Sequence, residues 1–83
     1  MEEKLIGKIT HYYSKLGVGI IHLTDGDLKV GDTIHIKGSG SDFEQTIDSM
    51  QFDHAEIQNG KKGQELGVKV EEKVRDGDLV YKK

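Results

Sequence analysis

Apolar and polar residues alternate along most of this chain, the period of strands with one face buried. Leu5, Gly7, Ile9, His11 and Tyr13 fall on one face of a first strand, with Lys8, Thr10 and Tyr12 on the other. The run Val18-Gly19-Ile20-Ile21-His22-Leu23 is short and β-branched, which suits a strand buried on both faces. Ile34 and Ile36 alternate with Thr33, His35 and Lys37, and Leu66, Val68 and Val70 alternate with Gly67 and Lys69. Ala55 and Ile57 start another short strand, and Leu79-Val80-Tyr81 supplies the last. Turn chemistry separates these runs: Thr24-Asp25-Gly26-Asp27, the loop Gly38-Ser39-Gly40-Ser41-Asp42, and Gln58-Asn59-Gly60-Lys61-Lys62-Gly63.

Two segments break the alternation. Phe43 and Ile47 share one parity and Met50 and Phe52 the other, so a strict strand cannot turn all four inward. A bulge or bend near Asp48-Ser49 reconciles them. Glu71 to Asp76 is polar apart from Val74 and is expected to make one helical turn before Gly77 stops it. Six or seven short strands with turns every 8–12 residues indicate an all-β domain. A small closed barrel is the expected form, because closure removes the strand edges that a sheet without Pro would expose.

Composition narrows the function. Eighty-three residues make one domain, spanning 1–83. Cys is absent, so no disulfide staples the small core, in keeping with a reducing, cytoplasmic setting. Twelve basic residues against fifteen acidic give a net charge of −3, which argues against a purely electrostatic grip on phosphates. No apolar run approaches the about 18 residues of a membrane span, and Met1-Glu2-Glu3-Lys4 is too acidic to open a signal peptide.

Catalytic and cofactor signatures are missing. Gly60-Lys61-Lys62-Gly63 lacks the spacing and the following Ser or Thr of a phosphate loop, and Gly38-Ser39-Gly40 is half of a dinucleotide fingerprint in the wrong place. Asp25-Gly26-Asp27 begins like a calcium loop, but the later ligands do not follow. His11, His22, His35 and His54 fall one to a segment with no ligand-like spacing. No Ser sits on a strand-to-helix elbow beside a base. The expectation is a binding module that is not an enzyme and carries neither metal nor cofactor.

The segment His11-Tyr12-Tyr13-Ser14-Lys15 does carry binding chemistry: two aromatics, an imidazole and a Lys, with Lys8 upstream. Aromatic faces stack on bases and Lys neutralises phosphate, as in single-stranded nucleic-acid grooves. Adjacent Tyr residues point to opposite faces of a strand, so at most one of the pair enters the core. Charge is also uneven. No Lys or Arg lies between Lys37 and Lys61, whereas Asp42, Glu44, Asp48, Asp53 and Glu56 all do.

The order of segments resembles domain II of translation elongation factors such as elongation factor Tu. The resemblance rests on Gly7-Lys8-Ile9, Gly17-Val18-Gly19-Ile20-Ile21, Leu28-Lys29-Val30-Gly31-Asp32-Thr33-Ile34, Ile47-Asp48-Ser49-Met50-Gln51, Lys62-Gly63-Gln64-Glu65-Leu66-Gly67-Val68 and Val74-Arg75-Asp76-Gly77-Asp78-Leu79-Val80. It implies a closed Greek-key β-barrel that works beside a GTPase domain and contacts tRNA or ribosomal RNA. In that frame Gly31 and Gly77 suit turns entering strands, while Gly63 and Gly67 permit close backbone approach. Tyr13 keeps the aromatic of the family's aminoacyl pocket. Val18, Thr10 and Glu65 replace its Arg, acidic residue and Asn, so the pocket itself is not carried over. Similar barrels close the C-terminus of collagenase-like peptidases, and the stretch from Asp42 to Gln51 looks closer to that branch.

Two functions are therefore expected of a non-catalytic module. The first is RNA binding in translation, with Lys8, His11, Tyr12, Tyr13, Lys15, Lys61 and Lys62 as contacts. The alternative is a protein-interaction module that docks on a separate GTPase or peptidase-like subunit through an apolar groove. No membrane partner is expected.

Overall fold

A computed structural model of the chain describes residues 3–38, 40, 42–53 and 55–83. Ten strands are found among the described residues: β1 (Lys4–Tyr13), β2 (Val18–Leu23), β3 (Leu28–Lys29), β4 (Thr33–Lys37), β5 (Asp42–Thr46), β6 (Met50–Phe52), β7 (Ala55–Ile57), β8 (Asn59–Gly60), β9 (Glu65–Lys69) and β10 (Leu79–Lys82). Eight form one antiparallel sheet in the order β5-β4-β10-β1-β2-β9-β6-β7, and β3 pairs with β8 in a second, two-stranded sheet. The large sheet curls into a half-barrel and does not close. This corrects the closed barrel expected from the sequence. Its terminal strands, β5 and β7, do not pair with each other; the small sheet and loop backbone span the gap instead. There Val30 N donates to Gln58 O, Gly31 N to Ile47 O, and Ile47 N to Asp32 O.

The alternating residues fill the inside of the curl. Ile9, Ile21, Leu23, Ile34, Ile36, Leu66, Val68 and Val80 are all buried, together with Met50 and Ile47. The expected break at Asp48-Ser49 is present: β5 ends at Thr46 and β6 begins at Met50, which brings Met50 inward although Phe52 stays exposed. Two bulges interrupt β1, between Leu5 and Gly7 and between Ile9 and His11. Each shifts the alternation, so Ile6 is buried and Leu5 faces solvent, opposite to the simple period. At Gly7 the two strands run so close that a Cβ would overlap the His22 carbonyl oxygen. Residues 71–76 form no helix; they cross in bends that drop Val74 into the core. The loop expected at 38–42 is described only at Gly38, Gly40 and Asp42, since Ser39 and Ser41 lie outside the described residues, as does His54.

The turns that carried the translation-factor resemblance share one device. Lys29-Val30-Gly31-Asp32, Lys61-Lys62-Gly63-Gln64 and Arg75-Asp76-Gly77-Asp78 each close with a backbone bond of 3.1 Å from the fourth residue to the first. Each has a glycine at positive φ in third place, at 98°, 92° and 91°. In each the fourth side chain accepts from the first residue's N–H: Asp32 Oδ2 from Lys29 at 3.0 Å, Gln64 Oε1 from Lys61 at 2.8 Å, Asp78 Oδ2 from Arg75 at 3.0 Å. The motifs thus answer a backbone requirement, a tight turn with a left-handed third residue. Any curled sheet with these connections can use them, whatever it binds. Gly63 serves φ and not the close approach expected of it.

Candidate functional site

The outer face of β2, β9 and β6 holds an open trough of about 330 Å³. The alternation that buries Gly19, Ile21 and Leu23 turns Val18 and Ile20 outward, so β2 is buried on one face and only half-covered on the other. In the register, Gly67 of β9 stands between Ile20 of β2 and Gln51 of β6. Its missing side chain leaves the floor of the trough low. Tyr13 and Leu16, from the β1–β2 turn, wall one end and are 47% and 68% exposed. That turn is tied by Leu16 and Gly17 N–H groups donating to the Tyr13 carbonyl, which projects Leu16 into solvent. Asp53 and Glu65 supply the rim's charge, and the Thr10 hydroxyl donates to Glu65 Oε2 at 3.2 Å. Asp53 has φ 54°, in the tight β6–β7 connection, a conformation Asp tolerates better than most residues.

Of the residues singled out for RNA, Tyr12, Tyr13 and Lys15 line an open pocket of about 420 Å³ with Ser14 and Leu16, and His11 lies against Tyr13, whereas Lys8, Lys61 and Lys62 lie apart from it. Tyr12 packs against the core, while its neighbour Tyr13 faces out with its ring edge-on to His11, centroids 4.4 Å apart. Lys15 is exposed on the same turn. Lys61 and Lys62 are exposed at the other end of β2, where Gly63 N donates to Leu23 O and Leu23 N to Gln64 O. The five-residue step from Val18 to Leu23 separates the two groups by roughly 17 Å of strand. Lys8 lies between them on β1, opposite His22 and Leu79. The seven positions thus do not share one surface, and the trough beside Tyr13 carries carboxylates. The trough itself was hidden in the sequence, because its floor joins residues 18 and 20 to residue 67; a glycine at an outward strand position was the available signal.

A second polar cluster lies at the β4–β5 edge. His35 projects from the outer face of β4, with Glu3 carboxylate oxygens 2.8 and 2.9 Å from Nδ1 and Asp42 bonded to Nε2. Glu44 faces His35 across the strands and pairs with Lys83 Nζ at 2.7 Å. The Asp42 hydrogen bond, with help from Glu3, raises the His35 pKa above its usual value despite partial burial. The same bond lowers Asp42, and Lys83 lowers Glu44. Donor atoms of Glu3, His35 and Glu44 lie within 4.8 Å of one another, a set able to approach a cation. Lys83 and a protonated His35 already supply positive charge there. Because both ring nitrogens face carboxylates, the imidazole has no open nitrogen with which to act as a base.

No helix among the described residues is long and apolar enough to cross a membrane. No family model matches the chain. It is 43% identical over 77 residues to an uncharacterised protease of Methanocaldococcus jannaschii, covering 92% of this chain and 19% of that protein. It is 30% identical over 82 residues to a Porphyromonas gingivalis collagenase, covering 98% of the chain and 23% of the relative. A collagenase of strain W83 of that organism is 32% identical over 78 residues, 93% of the chain and 19% of the relative. The chain thus spans about a fifth of the length of the curated relatives it matches. Among solved structures, the C-terminal domain of a Geobacillus thermoleovorans protein assigned to the U32 peptidases superposes with a TM-score of 0.88. That match has 17% identity and covers 96% of this chain and 92% of the other. The selenomethionine form of that domain gives a TM-score of 0.87 at 16% identity, covering 93% and 96%.

These relatives overturn the translation reading. A role on tRNA or the ribosome rested on turn motifs that the fold explains, and the matched sequences are named protease and collagenase. The collagenase-like branch of the resemblance is the one that fits: this chain is homologous to a segment of such proteins and has the fold of a U32 peptidase C-terminal domain.

Proposed function

We propose that the half-barrel is a non-catalytic protein-interaction module serving a peptidase-like body, which it contacts through the trough over β2, β9 and β6. The match to about a fifth of a protease and two collagenases carries this reading, since the rest of those proteins is the natural counterpart of the module. The described residues support it. The His35–carboxylate cluster has both imidazole nitrogens occupied, and among the described residues no hydroxyl is bonded to it. Solvent-facing Leu16 and Tyr13 beside Val18 and Ile20 form the apolar surface such a contact needs.

The test uses the M. jannaschii relative with its own matching segment deleted, mixed with this chain and followed by size-exclusion chromatography with light scattering. A one-to-one complex is expected, lost when Leu16→Asp and Ile20→Asp are combined. The chain alone is expected to leave fluorescent casein and gelatin uncut. Absence of a complex, or one indifferent to both substitutions, would overturn the docking reading.

A further inference from the structure

We propose that the trough receives an extended peptide segment with an apolar side chain seated over Gly67 and a neighbouring Lys or Arg set against Glu65 and Asp53. This rests on the docking reading above and names the chemistry of what is docked. Its starting point is Gly67 itself. The residue sits in the middle of β9, an internal strand, where glycine weakens pairing and a β-branched residue would strengthen it. Nothing in the fold requires it. Its φ is not positive, and an added Cβ would meet Val18 Cγ1 at 3.6 Å, Ile20 Cδ1 at 3.7 Å and Gln51 O at 3.8 Å, all ordinary contact distances. Gly7 and Gly60 differ, because a Cβ there would overlap the His22 carbonyl or the Leu66 side chain. The glycine's effect is outward: it lowers the floor and opens a volume at the lower end of the range of ligand pockets.

Charge then selects the occupant. The charged residues lining the trough are Asp53 and Glu65, with no Lys or Arg among the described lining residues. Glu65 is held in place by the Thr10 hydroxyl. Two carboxylates beside an apolar floor favour a cationic side chain flanking an apolar one and repel a phosphate backbone.

The experiment is a 1H–15N titration of the chain with acetyl-Gly-Lys-Leu-Lys-Gly-amide and, separately, its Glu-Leu-Glu counterpart. The basic peptide is expected to shift the amides of Leu16, Ile20, Glu65 and Gly67, and the acidic one to leave them unmoved. Binding is expected to weaken several-fold in Glu65→Gln with Asp53→Asn, and at least tenfold in Gly67→Val. Gly67→Ala tests the same point with a smaller intrusion, and thermal melts of both Gly67 variants are expected at or above the parent midpoint. Equal shifts by both peptides, shifts centred elsewhere, or unchanged binding by Gly67→Val would overturn the proposal. If the peptides fail while the truncated protease still forms a Leu16- and Ile20-dependent complex, the assigned chemistry falls and the docking reading stands. If both fail, both fall.

Discussion

Gln45 does for this half-barrel what strand pairing does in a closed one. It lies on the terminal strand β5, only 6% exposed, with its amide bonded to the end of β9 and the residues that follow it. Nε2 donates to the Lys69 carbonyl and Oε1 accepts from the Glu71 N–H, both at 2.8 Å. Gln45→Ala removes both bonds and leaves one backbone donor and one acceptor to find water at a partly buried position. Each such loss costs about 1–3 kcal/mol, and partial access to solvent places the pair toward the lower end, about 2–3 kcal/mol. In a domain of this size that lowers the thermal midpoint by roughly 10–20 °C, and by about 2–3 M in urea for a slope near 1 kcal/mol/M. The Glu71 amide is expected to lose hydrogen-exchange protection before the β1 and β2 amides do. Gln45→Glu supplies a second readout. The ionised carboxylate accepts from Glu71 but cannot donate to Lys69, so its deficit relative to the parent shrinks as pH falls and the carboxyl regains a proton. A Gln45→Ala protein within about 0.5 kcal/mol of the parent, with Glu71 still protected, would refute the view that this side chain holds the open sheet together.

The polar cluster at His35 makes stability depend on pH in a defined direction. A folded pKa raised above 6.5 by Asp42 and Glu3 gives a contribution that is complete below 6.5 and drains away as pH rises through the raised value. Asp42 and Glu44, both lowered, contribute above their ordinary values of 3.8 and 4.5 and lose that contribution on acidification. Urea midpoints are therefore expected to be highest between about pH 5 and 6.5, and His35→Gln to flatten the decline on the alkaline side; an unchanged slope would count against the cluster. Gly60→Ala, whose Cβ would overlap Leu66, is expected to cost about 1–3 kcal/mol, and to couple with Leu66→Ala in a double-mutant cycle. Gly63→Ala and Gly67→Ala should act oppositely in denaturant titrations. The first forces a φ of 92° on alanine and destabilises by about 1 kcal/mol, while the second stabilises by about 0.5–1 kcal/mol.

The all-β character was legible because alternation is local: Ile34 and Ile36, Leu66 and Val68, Ile21 and Leu23 all face inward as the period of two requires. The break at Asp48-Ser49 follows from the same parity argument, which also allows only one of Tyr12 and Tyr13 into the core; the bulge between Ile9 and His11 makes that one Tyr12, opposite to the simple period. The bulges of β1 were not legible, since one inserted residue exchanges Leu5 for Ile6 with no mark in composition. Val74 looked isolated in a polar stretch and is core, because residues 71–76 cross the end of the barrel without helix. Turn motifs misled about function: a glycine at positive φ followed by Asp or Gln solves a backbone problem common to unrelated partners.

The sequence by itself determined the longer strands, the faces that most of them bury, and the lack of a recognisable catalytic motif, but not the two-residue strands β3 and β8, the second of which it read as turn. Only the tertiary structure decided that the sheet stays open, that Gln45 reaches residues 69 and 71, that His35 sits between Glu3 and Asp42, and that Ile20 and Gly67 share one trough. The reason is physical. Alternation is set by neighbours one and two positions apart, whereas closure, charge pairing and a binding surface depend on register between strands tens of residues apart, which no local pattern encodes.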